Sequence, residues 1–190
     1  MRGLSALIIP DCLPHGATAE TPSMKVYWIG LDTPGRLGVS RKPDGGDALD
    51  EQMAHLHRGM VDHVVSMLEP AEAAGFGLTE EGAAAERHGV GFYNFPIVDH
   101  GVPGDVEHYA RVARAIDGRL RSGQAIVIHC RAGLGRAPSL AICALIAGGM
   151  NADEAVLRVG RARGRPVPET DDQYAFIQAF AARLKADQAA

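Results

Sequence analysis

Residues 126–139 read IVIHCRAGLGRAPS. An apolar run leads into a Cys, then into a loop with two Gly and two Arg, then through a Pro into a second apolar run. The lead-in AIVIH does not alternate apolar with polar residues, which predicts a short strand buried on both faces of a sheet. Pro138 suits a first helical position, so the apolar stretch 138–148 predicts a helix directly after the loop. Ligands in open α/β sheets bind beyond the carboxyl ends of the strands, and Cys130 stands at that place. Gly133 and Gly135 are expected to adopt positive φ and curl backbone N–H groups inward. The helix start favours an anion there, and Arg136 adds a planar fork suited to phosphate oxygens. Residues 130–136 thus predict a cradle for a tetrahedral oxyanion with a sulfur at its base. Electropositive surroundings of this kind favour the thiolate, the nucleophilic form of Cys. His129 can help order the loop, and in-line attack on phosphorus would give a phosphocysteine. The structural alternative for Cys130 is a small buried hydrophobe at a strand end.

The chain has 190 residues, enough for one domain with a sizeable core, and its 46% hydrophobic and 22% charged content is that of an ordinary globular protein. A formal charge of -4 gives no global attraction to nucleic acid or anionic lipid, so any basic site must be local. Cys12, Cys130 and Cys143 cannot all pair and lack metal-binding spacing. They point to a reducing compartment, and with no segment long enough for a signal core or membrane span the expectation is a cytoplasmic protein.

Along the chain, KVYWIG (25–30), DHVVSML (62–68), VGFYNFPIV (90–98) and AIVIH (125–129) read as strands. TPGRLGVSRKPDGGDAL (33–49) reads as a long turn-rich loop. Helices are expected over LDEQMAHLHRGM, after Glu69-Pro70, over EEGAAAERH with Thr79 as cap, and from Val106 to about Ser122. Three more are expected at 138–148, 152–161 and 171–185, with Asn151/Glu154 and Thr170/Gln173 fitting capping boxes. Strands alternating with helices predict an α/β fold, a three-layer-like sandwich whose central, mainly parallel sheet is flanked by helices. Residues 1–24 are expected to form an irregular lead-in and 25–186 the folded domain.

HCRAGLGR (129–136) resembles the HCxxGxxR signature of the cysteine-based protein tyrosine phosphatase superfamily, in its dual-specificity branch. The resemblance runs from about Lys25 to Leu184. FPIVDHGVP looks like the acid loop of kinase-associated and related dual-specificity phosphatases. RPVPETDDQYAFI is similar to their segment bearing a water-positioning Gln. The stretch from Cys130 to Val156 is similar to the phosphatases of regenerating liver.

This resemblance implies a protein tyrosine phosphatase-like fold and hydrolysis of phosphomonoesters through phosphocysteine, with no cofactor and no metal. Cys130 would be the nucleophile. The phosphate would be bound by Arg131, Ala132, Gly133, Leu134, Gly135 and Arg136. Asp99, 31 residues before Cys130, would protonate the leaving oxygen and later take a proton from water; its alternative is a turn-forming Asp. Asp105 is the rival acid but suits an N-cap, and His100 reads as a loop residue. Gln173 would orient water, unless the capping box is its whole role.

Ala137 stands where most relatives carry Ser or Thr, so a hydroxyl that stabilises the leaving thiolate is missing. Such a bond is worth ~1–2 kcal/mol, on the order of 10-fold in rate, which predicts a slowly hydrolysed intermediate. Ser139 is expected to be turned elsewhere by the helix. Arg158, Arg161, Arg163 and Arg165 form one basic cluster, either facing the cleft or complementing a helix end. The expected partners are phosphorylated proteins, carrying phosphotyrosine or phosphoserine/threonine, or a small phosphorylated substrate, with no nucleic acid and no membrane span. A phytase-like or other inositol phosphate phosphatase, and a slow-turnover phosphate-dependent binding module, stay open at this level.

Overall fold

The computed structural model describes residues 24–189, with side chains to 187. In chain order it comprises β1 (Tyr27–Ile29), β2 (Arg36–Arg41), α1 (Ala48–Arg58), β3 (His63–Ser66), α2 (Pro70–Gly75), α3 (Glu81–Arg87), β4 (Gly91–Asn94), α4 (Val106–Arg121), β5 (Ala125–Cys130), α5 (Arg136–Ala147), α6 (Ala152–Arg163) and α7 (Asp171–Ala189). The expected lead-in lies outside the described residues except for Met24, which is buried beneath the sheet with the α1 side chains.

The strands form one sheet in the order β1-β2-β5-β3-β4. Only β1 runs antiparallel to its neighbour; the other three pairings are parallel. β5 sits at the centre, and all six of its residues are buried. Successive side chains of a strand face opposite ways, and both faces here are covered. Ile126, Ile128 and Cys130 join the core beneath α4, α5, α6 and α7, while Val127 packs with Leu49, Met53 and Leu56 of α1 and Ala84 and Ala85 of α3. Two buried faces explain why AIVIH lacks alternation. Each fully buried Ile contributes about 1.5–3 kcal/mol, and a charged residue at Ile128, 0% exposed, would break the stack.

One segment departs from the sequence expectation. The stretch read as a long loop contains β2, paired in parallel with β5 from Arg36↔Ala125 to Arg41↔Cys130. Pro34, Gly35 and Pro43 bracket this strand and do not interrupt it. Gly38 lies inside it because a Cβ there would come 2.4 Å from Val26 Cγ1 and 3.0 Å from Trp28; its role is close packing, not turning. Two helix starts also move. The N-cap of α3 is Glu80, without a side-chain cap bond, so Thr79 does not cap it. α5 begins at Arg136, ahead of Pro138. Asp105 caps α4 as expected, accepting from His108 N at 2.9 Å.

Candidate active site

β5 delivers Cys130 to the carboxyl edge of the sheet, where its side chain is 3% exposed. The chain then curls through 131–135 into α5. Gly133 takes φ +69°, and a Cβ there would lie 2.5 Å from Ser40 O. Only glycine fits that conformation against the end of β2. Gly133 N donates to Cys130 Sγ at 3.2 Å, so the loop does turn an amide onto the sulfur. Gly135 differs from expectation: its φ is -109°. A Cβ there would stand 2.7 Å from Gln173 Oε1, so a larger residue would push the Gln173 amide from its place.

Arg136 is 1% exposed, and both of its terminal nitrogens are engaged. Nη1 donates to Glu72 Oε2 at 2.6 Å and Ile97 O at 2.8 Å. Nη2 donates to Glu72 Oε1 at 3.1 Å and Asp99 Oδ1 at 2.7 Å. Glu72 comes from α2, where it also accepts from the Glu69 backbone amide at 3.1 Å in a reciprocal capping box. Burial raises the Glu72 pKa, but the Arg136 hydrogen bond, the Glu69 amide and the Arg136 charge lower it by more, so the net shift is downward. Sequence reasoning did not identify Glu72. Its EPAE context marks a helix start, but nothing in the linear order aims it at a residue 64 positions away.

Asp99 sits on the same guanidinium and also accepts from Arg131 Nη1 at 3.3 Å. His100, at φ +61°, approaches Asp99 at 3.9 Å and Glu169 at 3.7 Å and forms part of the cleft wall. Gln173 is 1% exposed and completes the capping box: Gln173 N donates to Thr170 Oγ1 at 3.2 Å, and Thr170 N to Gln173 Oε1 at 3.3 Å. Its Nε2 donates to Gly101 O at 3.1 Å, tying α7 to the loop that carries Asp99. The cap therefore aims Gln173 at the cleft, and the two readings of this residue are compatible.

His129 faces the other side of β5 from Cys130. Its Nε2 lies 2.8 Å from Glu81 Oε1, both side chains being buried, at ion-pair distance but without hydrogen-bond alignment. The imidazole thus packs toward α3, and its side-chain contact is to Glu81. Ala137 is 0% exposed. The Ser139 hydroxyl donates to Gly135 O at 3.0 Å, so it does not stand in for the missing group. Cys143 is buried within α5, and burial pushes its thiol far up.

The four arginines do not act as one cluster. Arg158 turns to Glu154, Asp32 and Gly30 O near β1. Arg163 reaches the carbonyls of Ala132 and Gly133, while Arg161 and Arg165 are exposed.

Asp99, Cys130, Arg131, Arg136 and Gln173 converge on a cavity of about 200 Å³. A larger cavity of about 570 Å³ lies between β4 and α4, but it is mostly apolar and holds none of this chemistry. A sulfur under an amide, beside a guanidinium and a carboxylate, can receive a phosphate, attack it and move a proton. No helix among the described residues is long and apolar enough to cross a membrane.

Comparison with known proteins bears on the family and the fold. A family model described as "Polymorphic toxin system, DSP-PTPase phosphatase" matches residues 38–150. A crystal structure of Tk-PTP is 32% identical, with a TM-score of 0.67, covering 87% of this chain and 99% of that one. Kinase associated phosphatase (KAP) superposes with a TM-score of 0.75 at 19% identity, over 86% of this chain and 97% of that one. PTPMT1, in a complex with PI(5)P, gives 0.68 at 18% identity, over 86% and 99%. The latter two show the shared fold.

Proposed function

The chain belongs to the DSP-PTPase family of cysteine-dependent phosphatases, and from that premise we propose that Cys130, Arg136 and Asp99 carry the hydrolysis. The observation that bears most weight is their meeting in one small cavity at the end of the central strand. A phosphomonoester enters with its phosphate over the sulfur. Its non-bridging oxygens take amide donors of residues 131–135 and the Arg136 fork, which are aimed in advance at the charge that builds in the transition state. The Cys130 thiolate forms the S–P bond as the P–O bond to the leaving group breaks, and protonated Asp99 gives that oxygen its proton. Asp99, now a carboxylate, takes a proton from water as the water oxygen attacks phosphorus, the S–P bond breaks, and phosphate leaves.

The resting geometry supports a coupled trigger. Asp99 occupies Arg136 Nη2 at 2.7 Å, the position a dianionic phosphate would claim. Arrival of substrate displaces the carboxylate from the guanidinium, and Asp99 takes up a proton from solvent before it acts as the acid. In this reading Gln173, held by its capping box and beside Gly135, orients the attacking water once it releases Gly101 O.

A cavity of about 200 Å³ suits a phosphate and the first atoms of its ester group more than a whole drug-sized ligand. On that basis phosphoprotein side chains, phosphotyrosine and phosphoserine/threonine alike, are the proposed substrates; the reducing, cytoplasmic setting and the domain bounds of about 25–186 are proposed from the cysteine usage and the sequence pattern. The direct test is hydrolysis of an aryl phosphate by wild type, Cys130→Ser and Asp99→Ala, followed by phosphopeptides and inositol phosphates at equal concentration. Phosphopeptide turnover abolished by Cys130→Ser supports the reading. Wild-type turnover in Cys130→Ser refutes the site, and exclusive turnover of inositol phosphates refutes the substrate class.

A further inference from the structure

Gly133 is the weak point of the loop. Glycine populates both signs of φ readily, so the two peptide units flanking it, 132–133 and 133–134, have the least intrinsic restraint against flipping. A flip would replace an inward N–H by an inward carbonyl, setting a dipole of the wrong sign toward an arriving phosphate.

Both units are held from outside. Arg163, at the end of α6, donates from Nε to Gly133 O at 2.7 Å and from Nη2 to Ala132 O at 3.2 Å. Its guanidinium also lies over the Tyr27 ring at 4.0 Å, so a β1 residue holds it as well. A trans peptide is planar with N–H opposed to C=O. Holding the two carbonyls outward therefore points the N–H groups of Gly133 and Leu134 inward. The first of these is found on Cys130 Sγ at 3.2 Å.

We propose that Arg163 is a positioning residue for catalysis: it locks the two peptide units around Gly133 so that their amides face the phosphate. The inference rests on reading residues 130–136 as the phosphate cradle. It assigns Arg163 to the back of the loop and not to substrate, and Tyr27 to holding Arg163 in place.

The test compares full-length wild type with Arg163→Met, Arg163→Lys and Tyr27→Ala, measuring aryl phosphate turnover, inhibition by tungstate (an oxyanion that fills the cradle) and thermal melting. Loss of one preorganised oxyanion donor costs about 10²–10³ in rate. Loosened donors are expected to cost less, on the order of 10- to 100-fold in kcat/KM for Arg163→Met. Tungstate affinity should fall in parallel while the folded fraction stays complete. Arg163→Lys keeps the charge but not the two-pronged grip, so it should recover only part of the loss, and Tyr27→Ala should show a smaller loss of the same kind. Wild-type tungstate affinity in Arg163→Lys would mean that charge alone matters and would overturn the proposal, as would an unchanged affinity in Arg163→Met. Should Arg163→Met not fold, the Lys variant decides in the same way. Cys130→Ser separates the two levels: if it turns over like wild type, the cradle reading itself falls, and if it is inactive while the Arg163 variants match wild type, only the role of Arg163 falls.

Discussion

Replacing Glu72 with Gln changes one atom in the partner of the phosphate-binding arginine. In the wild type both carboxylate oxygens accept from Arg136, at 2.6 and 3.1 Å, and Oε2 also takes the Glu69 amide at 3.1 Å. Gln keeps one acceptor and turns an NH₂ toward a guanidinium that is 1% exposed. Removing a partner from a buried ion pair costs about 3–5 kcal/mol. Here Glu72 is 18% exposed, and Asp99 and Ile97 O remain on Arg136. The loss should therefore be that of a charge-assisted hydrogen bond, about 1.5–3 kcal/mol. Taking about 2 kcal/mol, the melting midpoint of a domain this size should fall by about 4–8 °C. The pH dependence gives a second, sharper signature. Because the folded-state pKa of Glu72 is lowered, its stabilisation is fully present above the ordinary Glu value of about 4.3 and is lost as pH falls through the lower folded value. Melting curves for the two proteins should differ most near neutrality and converge in acid. A gap of equal size at every pH from neutral to strongly acid, or no gap at neutral pH, would refute the reasoning. Turnover should fall as well, since Arg136 loses the clamp that aims it.

Three further outcomes are expected. Asp99→Asn should lower kcat by about 10²-fold or more on substrates with poor leaving groups, whereas Asp105→Ala should cost about 1 kcal/mol of stability through loss of the α4 cap and leave kcat near wild type; steady-state kinetics and melting on both variants check the pair. Ala137→Ser should speed phosphocysteine breakdown on the order of 10-fold and shrink any pre-steady-state burst, as followed by rapid quench. Native-state alkylation with iodoacetamide should leave Cys143 unlabelled, since it is 0% exposed and its thiol is held protonated by burial; peptide mapping reads this directly.

The cradle could be read from the linear order because its parts are consecutive: strand end, Cys, glycine, Arg, helix start. Local chemistry also showed the caps at Asp105, Asn151 and Thr170, each set by residues within one helical turn. β2 was hidden by its own punctuation. Prolines and glycines near it read as turns, and Gly38 is required by Val26 and Trp28 above it, which only strand pairing brings there. Glu72 and Arg163 were hidden for a different reason. Each is an ordinary charged residue at a helix end, and each gains its role from a contact at least 30 positions away in the chain. His129 shows the converse. Its neighbour in sequence is the nucleophile, but strand alternation sends its ring to the opposite layer, against Glu81.

The most direct measurement is acid-quench trapping of the enzyme during turnover of a ³²P-labelled substrate, with the labelled peptide identified by mass spectrometry. Phosphate covalently attached to Cys130 in the wild type, and absent from an inactive but folded Cys130→Ser variant, is the expected result. Turnover that proceeds with no phosphate on Cys130, or that survives its replacement by Ser, would contradict the account at its root.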